Sequence, residues 1–185
     1  MLASLLPILQ FGCGSGSSAA DKKDDKFLIG TISWEEWQSR AGWDDYSASD
    51  YEPAPETLRK LKSLIRNKDY MFLIFSGYWC SDSKSEVPKI FKLLNMCGVP
   101  ANRIKLIGLD RQKSEPSGIA KEYSITKVPT LIILTDDEVS SRAITIPAGQ
   151  TKPIPTPGIN SEAGRIIEYP SKSWDEDILS IIFEK

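Results

Sequence analysis

Tyr78-Trp79-Cys80-Ser81-Asp82-Ser83 joins two stretches of different hydrophobic period. Before it, Met71 to Phe75 is an unbroken apolar run, as expected of a buried strand. After it, Val87, Ile90, Phe91 and Leu94 recur at helical spacing. The junction therefore passes a cysteine from the end of a strand to the first turn of a helix. Unpaired backbone N–H groups and the positive end of the helix dipole favour thiolate over thiol at such a place.

Working outward, the spacing predicts a helix over about 56–67, with Leu58, Leu61, Leu64 and Ile65 on one face and Pro55 at its start. The strand over about 70–75 and the helix over about 81–95 follow. Pro88 lies inside that helix and removes a hydrogen bond or bends it, and Gly98 is placed to cap its end. Ile104 to Leu109 reads as a strand, Ser117 to Tyr123 as a short helix and Thr130 to Leu134 as a strand. Gly164 to Tyr169 reads as a further strand and Ser173 to Phe183 as a closing helix. The order predicts an α/β fold, a mixed sheet with helices on both faces. Toward the N-terminus, Phe27 to Ile32 suits an edge strand, and Ser33-Trp34-Glu35-Glu36 has capping-box spacing. Trp34, Trp37, Trp43, Tyr46 and Tyr51 crowd the stretch beyond it. Packing of these rings onto the domain is favoured over a stacking platform for a ligand.

Several of these features together resemble the thioredoxin-like proteins. They are Trp79-Cys80-x-x-Ser83, Pro88 eight residues after the cysteine, the run Ile104 to Asp110, the segment Ala120 to Lys127, and Val128-Pro129-Thr130 ahead of a strand. The resemblance covers roughly Pro55 to Lys185. It implies a thioredoxin-like fold in which Pro129 is cis and packs beside Cys80. The backbone of Val128, with Thr130 next to it, then pairs with an extended substrate segment, and Trp79 shields the site. Between the last two strands, where the family has a tight turn, 28 residues intervene from Asp136 to Ala163, four of them proline. A loop of that length borders the cysteine and shapes partner choice, or is a solvated insertion.

The resemblance also implies thiol–disulfide exchange with Cys80 as nucleophile, and two departures bear on it. Ser83 stands where a second cysteine would resolve the mixed disulfide. A hydroxyl can hydrogen-bond a thiolate but cannot attack a disulfide, so release requires an external thiol. Cys97 is no substitute. It lies 17 residues along the same helix, roughly 25 Å away at the helical rise, whereas a disulfide needs a separation under about 7 Å. Ile74 stands where thioredoxins commonly carry a buried acid. Asp82 lies inside the motif instead, opposing a thiolate at Cys80 that Lys84 and the helix end favour. Its alternative role is to stabilise the helix start.

The totals narrow the function further. The 185 residues carry 23 basic and 25 acidic side chains, a net charge of −2, and no histidine. Nothing basic and contiguous argues for nucleic acid. The absence of histidine excludes a Cys-His pair, a Ser-His-Asp triad and a histidine metal site. Cys13, Cys80 and Cys97 are too dispersed for a zinc cluster, and no cofactor or metal is expected. Residues 1–12 are apolar and too short to span a bilayer. With Cys13 and the polar stretch after it they resemble a bacterial lipoprotein signal, in which Cys13 is lipidated. That reading lacks a basic residue before the apolar run, and Gln10 stands where leucine is favoured.

The resulting organisation is an anchor and tether over 1–25, an aromatic extension over 26–54 and a thioredoxin-like domain over 55–185, with 136–163 inserted. The expected protein is a monomeric, lipid-anchored, extracytoplasmic (periplasmic) monothiol oxidoreductase acting on protein or small-thiol disulfides. The alternative is a redox-inactive thioredoxin-fold module that binds peptides or proteins. A thiol peroxidase fits less well, because Gly77 and Tyr78 stand where those enzymes place Thr and Pro.

Overall fold

A computed structural model describes residues 28–43, 48–135 and 162–184. Among the described residues, five strands form one sheet in the order β1-β3-β2-β4-β5: β1 Gly30–Ile32, β2 Tyr70–Ser76, β3 Ile104–Gly108, β4 Thr130–Thr135 and β5 Glu162–Ile167. β2 runs parallel to β3, and every other pairing is antiparallel. The helices are α1 Trp34–Ala41, α2 Pro55–Asn67, α3 Ser81–Cys97, α4 Ile119–Glu122 and α5 Trp174–Phe183, with a 3₁₀ turn at Ala101–Arg103. This is the α/β class expected, a mixed sheet flanked by helices.

Strand alternation divides the core into two layers. Phe72, Ile74, Leu106, Leu131 and Ile133 face α1, α2, α3 and α5. Leu73, Phe75, Ile107, Ile132 and Leu134 face the other way, toward Ile119, Ala120 and Tyr123 around α4. The central strand β2 is buried on both faces, which is why it reads as a continuous apolar run rather than an alternating one.

The aromatic extension is part of the first layer. Trp37 and Trp43 are fully buried. Trp34 stacks on Phe91 of α3 with ring centroids 4.3 Å apart, and Trp37 meets Trp43 edge-on at 5.4 Å. A second clasp follows. Buried Asp175 accepts hydrogen bonds from the Tyr51 hydroxyl at 3.1 Å and the Ala54 N–H at 3.0 Å, while Lys92 donates to the carbonyls of Tyr51 at 2.6 Å and Ala48 at 3.3 Å. Burial, reinforced by the Asp175 charge, pushes the Tyr51 phenol far above its usual range.

Several boundaries differ from the sequence reading. α3 continues two residues further, to Cys97, and Gly98 then closes it with φ 76°. α4 is shorter than expected because the segment before it folds onto Glu115, whose carboxylate accepts from both the N–H and the hydroxyl of Ser117. β5 begins and ends two residues earlier than expected. Glu168 leaves the strand with φ 61°, and its N–H bonds to the Pro129 carbonyl at 2.7 Å, so Tyr169 falls in the turn.

Candidate functional site

The site grows out of the end of β2. The Leu109 N–H bonds to the Ser76 carbonyl at 2.8 Å, and the Cys80 N–H to the Gly77 carbonyl at 2.9 Å, which makes a tight turn over the end of the parallel pair. Trp79 folds back across this turn and donates its indole N–H to the Leu109 carbonyl at 3.1 Å. Gly77 permits that fold, since a Cβ there would stand 2.7 Å from the indole ring. Cys80 is then the N-cap residue of α3, in extended backbone geometry, and the helix bonds start with the Lys84 N–H on the Cys80 carbonyl at 3.1 Å.

Cys80 is half-buried, and its Sγ lies 3.4 Å from the Val128 carbonyl oxygen. The Val128–Pro129 peptide bond is cis. The two halves of the predicted site, 48 residues apart in the chain, thus meet at the thiol.

The other expected site residues take distinct places. Ser83 is fully buried, and its hydroxyl accepts the Gly77 N–H at 3.3 Å, so it fastens the turn from inside. Thr130 is 2% exposed and donates its hydroxyl to the Lys127 carbonyl at 2.8 Å. Its side chain braces the proline loop from inside. Asp82 is partly exposed in the first turn of α3, with Tyr169 beside it. Interaction with the Asp82 carboxylate, with slight desolvation, pushes the Tyr169 phenol up to about 12. Cys13 and residues 136–161 of the long loop lie outside the described residues, as does Tyr46.

Cys97 is buried at the far end of α3, and burial pushes its thiol up to about 11. It neither ionises readily nor comes near Cys80.

Sequence reasoning missed four residues around the site. Tyr169, 53% exposed, is held beside α3 because its turn is stitched to the proline loop by Glu168, through its N–H on Pro129 and its carboxylate on Lys127 at 2.6 Å. Arg111 and Lys113 sit over the Trp79 ring at 5.2 and 5.3 Å from its centroid. Glu86, one helical turn beyond Asp82, is buried among the Trp174 indole N–H at 2.8 Å, the Ser85 hydroxyl at 2.8 Å and Lys89 at 2.9 Å. A capping residue or a helix spacing is visible locally in the sequence. These contacts are not, because each joins segments that only the fold brings together.

Elsewhere, a groove of about 650 Å³ between α2 and α5 is bounded by Leu64, Leu179 and the exposed Phe183, and by none of the residues around Cys80. Among the described residues, no helix is long and apolar enough to cross a membrane.

No family model matches the chain, and no curated protein does. Solved structures do. An HIV epitope-scaffold is similar over 84% of this chain and 94% of its own, at 12% identity and TM-score 0.53. A Pseudomonas aeruginosa protein of unknown function is similar over 82% of this chain and 86% of its own, at 13% identity and TM-score 0.46. Mitochondrial thioredoxin 3 of Saccharomyces cerevisiae, in its oxidised form, is 26% identical over 41% of this chain and 66% of its own, with TM-score 0.26. The scaffold supports the α/β fold; the thioredoxin likeness is confined to part of the chain.

Proposed function

We propose that this chain is a monothiol, thioredoxin-like oxidoreductase that exchanges disulfides with a protein or a small thiol. The observation that carries this reading is the half-buried Cys80 thiol at the N-terminus of a 17-residue helix, 3.4 Å from the Val128 carbonyl. The Cys80 thiolate attacks a disulfide in line. A Cys80–substrate S–S bond forms, the substrate S–S bond breaks, and the departing thiolate takes a proton from water. A substrate strand lies along the Val128 backbone, next to Trp79. Ser83 cannot attack the mixed disulfide and Cys97 is at the other end of the helix, so a second thiol from solution releases Cys80. The signal-like run ahead of Cys13 supports a second part of the proposal, a protein tethered through Cys13 on the extracytoplasmic side of the bacterial envelope.

The test is to reduce the full chain, expose it to a small disulfide, and locate the adduct by peptide mass. The expected outcome is a mixed disulfide on Cys80, discharged by added thiol and lost in Cys80→Ser. If Cys80 forms no adduct while the fold is intact, exchange is ruled out. The alternative, a peptide-binding module without turnover, has one observation in its favour: the thiol already lies against the carbonyl that a docked strand would use. It requires peptide binding that Cys80→Ser leaves intact.

A further inference from the structure

We propose that the Trp79 side of the cysteine cleft is a docking edge for disulfides that carry a carboxylate close to the reacting sulfur. The inference rests on Cys80 being an exchanging thiol and names the substrate class of that site.

The edge is built by the turn that follows β3. The Asp110 N–H bonds to the Ser114 carbonyl at 3.1 Å and the Lys113 N–H to the Asp110 carbonyl at 3.0 Å. Lys113 has φ 61°, and its ammonium reaches back to the Arg111 carbonyl at 3.2 Å. The turn is therefore folded on itself, and both cations are held over one indole. The indole is itself fixed by its bond to the Leu109 carbonyl, so the charges have a defined place one side chain away from Cys80.

A single cation over Trp79 would be satisfied by the ring. Two on the same ring repel each other, and an anion relieves that repulsion. The nearest acid in sequence, Asp110, is engaged by the Ser114 N–H at 2.8 Å. Neither Arg111 nor Lys113 forms an ion pair among the described residues. The start of α3 carries Asp82 and Lys84, and Glu86 further along is paired with Lys89. Arg111 and Lys113 make the Trp79 side of the cleft positive. A disulfide bearing a carboxylate is attracted and oriented by that field, and one bearing an ammonium is repelled from the Trp79 side. An acidic residue beside a protein disulfide and a small disulfide with free carboxylates share this chemistry.

The experiment measures how fast reduced full-length protein forms the Cys80 adduct, read by peptide mass, with three disulfides. These are 5,5′-dithiobis(2-nitrobenzoate), cystamine and the neutral 2-hydroxyethyl disulfide, each rate divided by that of 2-mercaptoethanol with the same compound. The expected anion-to-cation ratio at low salt is about 5 or more, falling toward 1 as salt screens the edge. In the double variant Arg111→Gln, Lys113→Gln the low-salt ratio also falls toward 1. A ratio of 1 or below at low salt, or one that the double variant leaves unchanged, overturns the inference while leaving exchange at Cys80 standing. Failure of all three compounds, the neutral one included, overturns the exchange reading itself. Peptides with Glu or Lys beside their disulfide separate the two sources. A Glu preference points to protein segments, and a preference seen only with the small probe points to small anions.

Discussion

Asp82 and Cys80 occupy the same helical start with opposite demands on it. A carboxylate in the first turn suits the helix dipole but opposes negative charge on a sulfur two residues earlier. Tyr169 stands beside Asp82 and is placed to take up part of its charge. Removing the charge with Asp82→Asn is expected to speed Cys80 alkylation at neutral pH by about threefold, measured with iodoacetamide. Tyr169→Phe is expected to slow it. In the double variant the tyrosine effect should vanish, because the hydroxyl acts through Asp82; additive effects would exclude that coupling. Cys97 gives the opposite forecast. With its thiol pushed up to about 11 by burial, it should stay unlabelled at pH 8 in the native protein and label only on unfolding. Peptide mass decides this directly.

At the scale of elements, turns rather than helices carry the sensitive bonds. Burial alone would raise the Glu115 carboxyl. Hydrogen bonds from the hydroxyl and N–H of Ser117, and from the N–H groups of Ala120 and Ile119, outweigh it and bring the group below its usual range. A carboxyl lowered on folding adds stability that is present above its unfolded value and lost as pH falls through the folded one. Glu115→Gln is therefore expected to cost about 1 kcal/mol at pH 7, and the gap to the parent should close below about pH 4; urea midpoints at the two pH values test this. Gly108 ends β3 where a Cβ would lie 1.9 Å from the Leu28 carbonyl oxygen and 2.7 Å from the Trp37 ring. Gly108→Ala is expected to loosen β1 from the sheet, read as faster amide exchange at Thr31 and Ile32.

These two cases also mark what the sequence could show. The apolar run before Cys80, the spacing of Val87, Ile90, Phe91 and Leu94, and the glycine after Cys97 are short-range patterns, so β2, α3 and its cap were legible. So was the meeting of Cys80 with Val128, through the resemblance. The partner of Asp82 was not, because Tyr169 is 87 residues away and reaches it only after Glu168 has turned out of β5. Arg111 and Lys113 looked like ordinary surface cations until the turn placed them on Trp79.

At the scale of the whole molecule, the N-terminal aromatics are core rather than decoration. Trp37 is fully buried and packs in the same layer as Phe72 and Leu94. Trp37→Ala is expected to cost about 3–5 kcal/mol, seen as a lowered urea midpoint, and to leave Cys80 reactive in whatever fraction stays folded. The strand order carries a mechanical consequence. β1 lies at one rim, and β3 stands between it and β2, the strand that ends at the thiol. Tension applied ahead of Leu28 loads the three-residue β1 first, then the tryptophan layer, then the Asp175 and Lys92 clasp, and only afterwards α2 and β2. The chain has a series of mechanical fuses in front of Cys80, so a tug on the leading end is absorbed before the cleft is deformed.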